Sequence, residues 1–106
     1  MKLVVYGTLK YGYSNHYMLG YATRLENQVV DGFVMYGNNF ADFPIVVAGE
    51  GTITAEVYDI KDKRCVHSIH MMELAFGYMA TETEHGRIYV HEKVPLGWKI
   101  IRGGVW

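Results

Sequence analysis

Two stretches of this chain carry residues that could do chemistry together. The first is Val5-Tyr6-Gly7-Thr8-Leu9-Lys10, reached from the apolar run Leu3-Val4-Val5. A short β-branched run ended by glycine reads as a buried strand entering a tight turn. Glycine takes backbone conformations that other residues resist. Successive N–H groups at Gly7, Thr8 and Leu9 could then form a concave nest for a carboxylate. Thr8 would add a hydroxyl donor, and Tyr6 a phenol or a flat wall. No Gly-Lys-Ser/Thr follows, so this is not a nucleotide P-loop, and the glycine spacing does not fit a dinucleotide fingerprint. A purely structural strand-to-helix turn is the competing reading.

The second stretch is the helical pattern that carries Glu73. Val66, Ile69 and Phe76 mark an apolar stripe, and Glu73 lies four residues from Ile69 and three from Phe76. All three share one helix face. A carboxylate at the edge of a core stripe is costly unless it is paired or protonated. Partial burial would raise its pKa toward the range where proton transfer works near neutral pH. In the alternative, the helix is rotated, Met71 and Met72 take the buried face, and Glu73 is an ordinary surface carboxylate.

Other constellations carry less. His67, His70 and Glu73 are spaced three apart. They drift around a helix, and no H-E-x-x-H or cysteine cluster supports a metal, so none is expected. Cys65 has no identifiable base and reads as a small buried thiol. Ser14 and Ser68 lack a G-x-S-x-G context. The tyrosines and tryptophans read as core and pocket walls. A base-stacking surface would need interleaved lysines and arginines.

The bulk numbers bound the rest. The chain has 106 residues and a formal net charge of −1, so one domain over 1–106 is expected and neither nucleic acid nor an anionic membrane is a natural partner. The single cysteine excludes an intramolecular disulfide and fits a reducing compartment. No apolar run is long enough to span a bilayer, and the apolar part of MKLVVYG is too short for a signal peptide. A soluble, cytoplasmic protein is the expectation.

The elements that must position these residues follow from periodicity and breakers. Strands are expected at 2–6, 23–26, 28–36 (with Gly32 a bend), 44–48 and 52–60, the last two joined by a hairpin-like turn at Gly49-Glu50-Gly51. Ser14 is a plausible N-cap for a short helix over 15–20, and Asp62 for a helix over about 63–74 that Gly77 stops. Residues 78–84 and 87–94 read as a hairpin around His85-Gly86, and 98–102 as a last strand. Many short strands with two helices give a compact α+β domain with a curved or closed sheet.

Taken in order, these pieces resemble the gamma-glutamylcyclotransferase-like, or AIG2-like, family. VYGTLK with Gly12 to His16 is similar to its opening strand and Y-G-[ST]-L loop. Phe43 to Ile60 resembles its F-P segment and following strand, Ile69 to Tyr78 its Glu-bearing helix followed by Gly-Tyr, and Gly103 to Trp106 its carboxyl end. The resemblance implies a small mixed β-barrel flanked by helices, with a pocket at one end. It gives Tyr6, Gly7, Thr8 and Leu9 the role of binding a γ-glutamyl group, Glu73 that of the acid/base, and Tyr78 a place in the pocket wall. The implied reaction is cyclisation of the γ-glutamyl group of an amine or peptide to 5-oxoproline, with no metal or organic cofactor. The chain would act as a monomer or homodimer. His70, Ala55 and Ala80 stand where many relatives have Asp, Gly and Arg, departures that bear on the substrate rather than the fold. The alternatives are a non-catalytic binding module on the same fold and a cyclotransferase acting on a γ-glutamyl-acylated biosynthetic intermediate.

Overall fold

The computed structural model describes residues 1–106. Its strands are β1 (Lys2–Val5), β2 (Thr23–Arg24), β3 (Gln28–Gly37), β4 (Ile45–Asp59), β5 (Met79–Thr83), β6 (Gly86–Val90) and β7 (Lys99–Ile100). They form one mixed sheet in the order β5-β6-β1-β4-β3-β7, with β2 also on β4. Only β1 and β6 run parallel. A single α-helix, α1 (Lys63–Ala75), accompanies the sheet, and the 15–20 segment expected as a helix is a 3₁₀ turn, His16–Leu19. Ser14 does not cap it. The residue at the cap position is Asn15, whose side chain bonds Thr8 instead.

β4 organises the sheet. Gly49-Glu50-Gly51, expected as a turn between two strands, lies inside this 15-residue strand. The register against β3 shifts there, with Asp31 opposite Thr52 but Phe33 opposite Ala48. Gly32, at φ +89°, thus faces three residues of β4 across a bulge. A Cβ on Gly51 would lie 2.9 Å from the Phe33 carbonyl oxygen. These glycines serve close strand approach and bending, not chain reversal. The far half of β4 pairs with β1 and β2. Near its start, beyond the end of β1, the Val46 carbonyl accepts the His91 N–H at 2.8 Å. The sheet therefore curls into a half-barrel, and the core runs along its inside. Leu3 of β1, Ile45 and Ile53 of β4, Ile69 of α1 and Ile88 of β6 are almost wholly buried.

Asp62 caps α1 as expected, its Oδ1 accepting the Arg64 N–H at 2.9 Å. At the other end, the Gly77 N–H donates to Leu74 O at 3.1 Å and the Tyr78 N–H to Glu73 O at 3.0 Å, with Gly77 at φ +84°. This is a Schellman closure, the usual use of a left-handed glycine after a helix. It ties the backbones of Glu73 and Tyr78 together. No helix of the protein is long and apolar enough to cross a membrane.

Candidate active site

One pocket of about 210 Å³ opens at the end of β1. It is smaller than the roughly 300–1,000 Å³ typical of drug-sized sites, so it suits an amino-acid-sized group. Tyr6, Gly7, Thr8, Leu9, Glu73 and Tyr78 all line it, together with Asn15, Asp42, Phe43, Met72, Phe76 and Tyr89.

The first wall is backbone. The Lys10 N–H donates to Gly7 O at 3.0 Å, closing a turn over residues 7–10. The N–H groups of Gly7, Thr8 and Leu9 donate to no other group in the chain. Asn15 braces the turn twice: its N–H donates to Thr8 O at 2.9 Å and its Nδ2 to Thr8 Oγ1 at 2.9 Å. Because Thr8 Oγ1 accepts, its own hydrogen remains available to a ligand. Gly7 is required for a different reason from the one expected. It is not among the glycines with positive φ. A Cβ there would instead lie 3.0 Å from Cδ of the buried Pro44.

The second wall is one carboxyl group. Ile69 is buried, but Phe76 is 63 % exposed, Met71 is exposed and Met72 is partly buried, so the apolar stripe does not run through Glu73 as expected. The backbone of Glu73 is bonded to Tyr78 in the helix closure, and its side chain lines the pocket. A Schellman closure usually sets an apolar residue at this helix position against the one after the glycine. Here the position holds a half-buried carboxyl group. Burial alone raises its pKa from 4.5 to about 7. No cation offsets it, so protonated and ionised forms are both accessible near neutrality.

Tyrosines frame the carboxyl group. The Tyr78 hydroxyl donates to Pro44 O at 2.7 Å, and the Tyr6 hydroxyl to Tyr89 O at 2.6 Å. Burial and the nearby carboxylate hold the Tyr6 and Tyr78 phenols well above their ordinary pKa, so both stay neutral donors. Their hydroxyls bind the frame, which leaves their rings as pocket walls. The Tyr89 hydroxyl meets His70 Nδ1 at 2.7 Å. His67 stays exposed, and no group of three His, Cys, Asp or Glu side chains is placed to hold a metal.

With this geometry in view, a family model described as gamma-glutamyl cyclotransferase, AIG2-like, matches residues 3–105. The chain belongs to the gamma-glutamyl cyclotransferase, AIG2-like family. PH0828 of Pyrococcus horikoshii is 32% identical over 107 residues, covering 97% of this chain and 89% of that protein. Its crystal structure superposes with a TM-score of 0.81 over 99% of this chain and 88% of that one, at 30% identity. The gamma-glutamylcyclotransferase family protein YtfP of Escherichia coli K12 is 28% identical over 111 residues, covering all of this chain and 96% of its own. The solution structure of the Escherichia coli protein superposes with a TM-score of 0.70 at 29% identity, over 100% of this chain and 96% of that one. The small mixed, curled sheet with a flanking helix is thus the fold of this gamma-glutamyl cyclotransferase family.

Within that family fold, several pocket residues escaped sequence reasoning. Tyr89 reaches the site through the parallel pairing of β6 with β1, which joins segments over eighty residues apart and leaves no local pattern. Strand alternation would have placed Tyr89 on one face with Arg87 and His91, but not against Glu73. Asn15 and Asp42 lie in irregular segments where only the turn register decides what faces inward.

Proposed function

We propose that residues 1–106 form one cyclotransferase domain that converts a γ-glutamyl amide to 5-oxoproline and a free amine, with Glu73 as acid and base. The observation that carries this reading is the pairing of a lone half-buried carboxyl group, of pKa about 7, with unpaired backbone donors across one small pocket.

The substrate α-carboxylate would bind the N–H groups of the 7–9 turn. This anchors the glutamyl group with its α-nitrogen near Glu73. The carboxylate takes one proton from the α-ammonium, and the amine attacks its own γ-carbonyl carbon. A carbon–nitrogen bond forms and closes the five-membered ring. Glu73, now protonated, gives its proton to the amide nitrogen, whose bond to the γ-carbon breaks. The ring nitrogen then loses a second proton, which leaves on the released amine. Two protons pass from one nitrogen to the other, and one carboxyl group can carry them in turn. Tethering supplies the rest: well-oriented intramolecular reactions reach effective molarities of about 10⁵–10⁸ M.

Incubation of the protein with γ-glutamyl amines, γ-glutamyl amino acids and glutathione, with 5-oxoproline read by mass spectrometry, tests the reading. Glu73→Gln should lower turnover by about 10²–10⁴-fold, the usual contribution of a positioned acid/base. The wild-type kcat/KM should rise with pH through an apparent pKa near the value of about 7 given for Glu73, because the ionised form must accept the first proton. A Gln variant as fast as wild type would remove Glu73 from the mechanism. Ligand-induced stabilisation without any 5-oxoproline would make the protein a binding module.

A further inference from the structure

The pocket holds the Glu73 carboxyl group and the 7–9 turn, and its mouth is built from exposed aromatic rings. Phe43 and Phe76 both line the pocket, and they remain 37 % and 63 % exposed. They come from different parts of the fold: the ring of Phe43 is braced by a neighbour, and the backbone of Phe76 is fixed at the end of α1. Phe43 packs against Trp98, with ring centroids 5.6 Å apart. The Phe76 N–H donates back to Met72 O and Glu73 O, both at 3.2 Å. Water-facing aromatic rings beside the Glu73 carboxyl group, one of them braced by Trp98, form an apolar subsite.

The charge around the mouth has one sign. The charged side chains among the pocket walls are Asp42, at the exposed rim, and Glu73. The cation closest in sequence to the turn, Lys10, is directed elsewhere: its Nζ donates to the Trp106 carbonyl and lies 5.2 Å from the Tyr13 ring centroid. A second carboxylate on the departing group would therefore meet carboxylates rather than a partner.

Building on the cyclotransferase reading, we infer that the departing group is an apolar, preferably aromatic, amine that carries no carboxylate. Phe43 and Phe76 hold its hydrocarbon part, and Asp42 disfavours amino-acid leaving groups. The donors of the 7–9 turn are then reserved for the single carboxylate of the glutamyl group itself.

A matched pair tests this: the γ-glutamyl amide of 2-phenylethylamine against γ-glutamyl-phenylalanine, which differs by one carboxylate. The γ-glutamyl amide of methylamine completes the set. For the wild-type protein, kcat/KM should favour the phenylethylamide about tenfold over γ-glutamyl-phenylalanine, and by more over the methylamide. Asp42→Asn should narrow the first ratio, as should raised salt, since a rim charge is screened. Phe76→Ala should narrow the second. Equal rates across the three substrates would overturn the inference and leave the cyclotransferase reading standing. Absence of 5-oxoproline from all three would overturn that reading. Thermal stabilisation by the same compounds then decides the inference, since a preference for the phenylethylamide supports it and no preference sinks it.

Discussion

The two walls of the pocket are made of different material. The 7–10 turn contributes backbone: three adjacent N–H groups whose chemistry does not depend on which side chains they carry. The end of α1 contributes one side chain, Glu73, whose chemistry depends wholly on its carboxyl group. What holds each wall in place differs as well. The turn is closed by backbone bonds but seated by close packing, with Gly7 against Pro44, and by the Asn15 side chain on Thr8. The residue that carries the carboxyl group has its backbone fixed by the bonds of the helix closure. Substitutions should therefore split cleanly. On the helix wall, altering the functional group destroys chemistry and spares the fold. On the turn wall, altering the packing destroys geometry, while removing the Thr8 hydroxyl leaves the backbone bond from Asn15 in place and does less.

Glu73→Gln is the largest expected effect, the 10²–10⁴-fold loss of turnover given above, and it should come with no loss of stability. Indeed it should add stability at alkaline pH. The Glu73 pKa is raised in the folded protein, from 4.5 to about 7. Between those values the folded chain holds a proton that the unfolded chain has released. The stabilisation from that proton is complete below the lower value and is lost as pH rises through the upper one. Relative to the Gln variant, the wild type should lose up to about 3 kcal/mol between roughly pH 4 and pH 9. Parallel thermal melts of the two proteins across that range measure it. Parallel curves would mean that Glu73 is solvated and poorly placed for acid/base work.

Gly7→Ala sharpens the contrast from the other wall. The new Cβ would sit 3.0 Å from Pro44 Cδ and 3.1 Å from Cγ. Pro44 has little room to give, since it is buried and its carbonyl is held by the Tyr78 hydroxyl. Overpacking of this kind costs about 1–3 kcal/mol, and a displaced turn should raise KM for the glutamyl substrate. Thr8→Ala loses the Asn15 Nδ2 bond but keeps the Asn15 N–H bond and every backbone donor, and should change kcat/KM less. If Thr8→Ala proved the more damaging of the two, the hydroxyl rather than the backbone nest would be the principal donor.

The two walls also differ in how far the sequence reveals them. The strand Leu3-Val4-Val5, the turn at Gly7 and the cap at Asp62 are local signals, and they were legible. So was the presence of a carboxylate where α1 ends, although the stripe reasoning behind it was wrong at Phe76, which faces water. What places Glu73 is the closure at Gly77, a backbone event that hydrophobic periodicity does not record. The Gly49-Glu50-Gly51 segment misled because glycine pairs usually mark reversals. Here Gly51 allows β4 to pass close to Phe33 O, a contact between two strands that neither strand's own pattern records and that only their pairing sets. Tyr89 was invisible for the same reason, since the β1–β6 pairing that brings it to the pocket joins segments far apart in sequence.

Gly77→Ala probes the joint between helix and wall, and its expected cost in stability is smaller than that of Gly7→Ala. At φ +84°, alanine in place of glycine meets the left-handed penalty of about 1–2 kcal/mol. The added Cβ would touch His91 Cε1 at 3.4 Å, an ordinary contact, so no further clash is expected. The change leaves the Glu73 carboxyl group intact and loosens only the bonds from Gly77 to Leu74 and from Tyr78 to Glu73. If the closure is what holds the carboxyl group inward, the alkaline limb of the stability curve should flatten in this variant. The rising limb of kcat/KM should also shift toward lower pH, because a freer Glu73 is better hydrated and easier to ionise. A loss of stability with the pH profile unmoved would show that the pocket tyrosines, rather than the helix end, hold the carboxyl group in place.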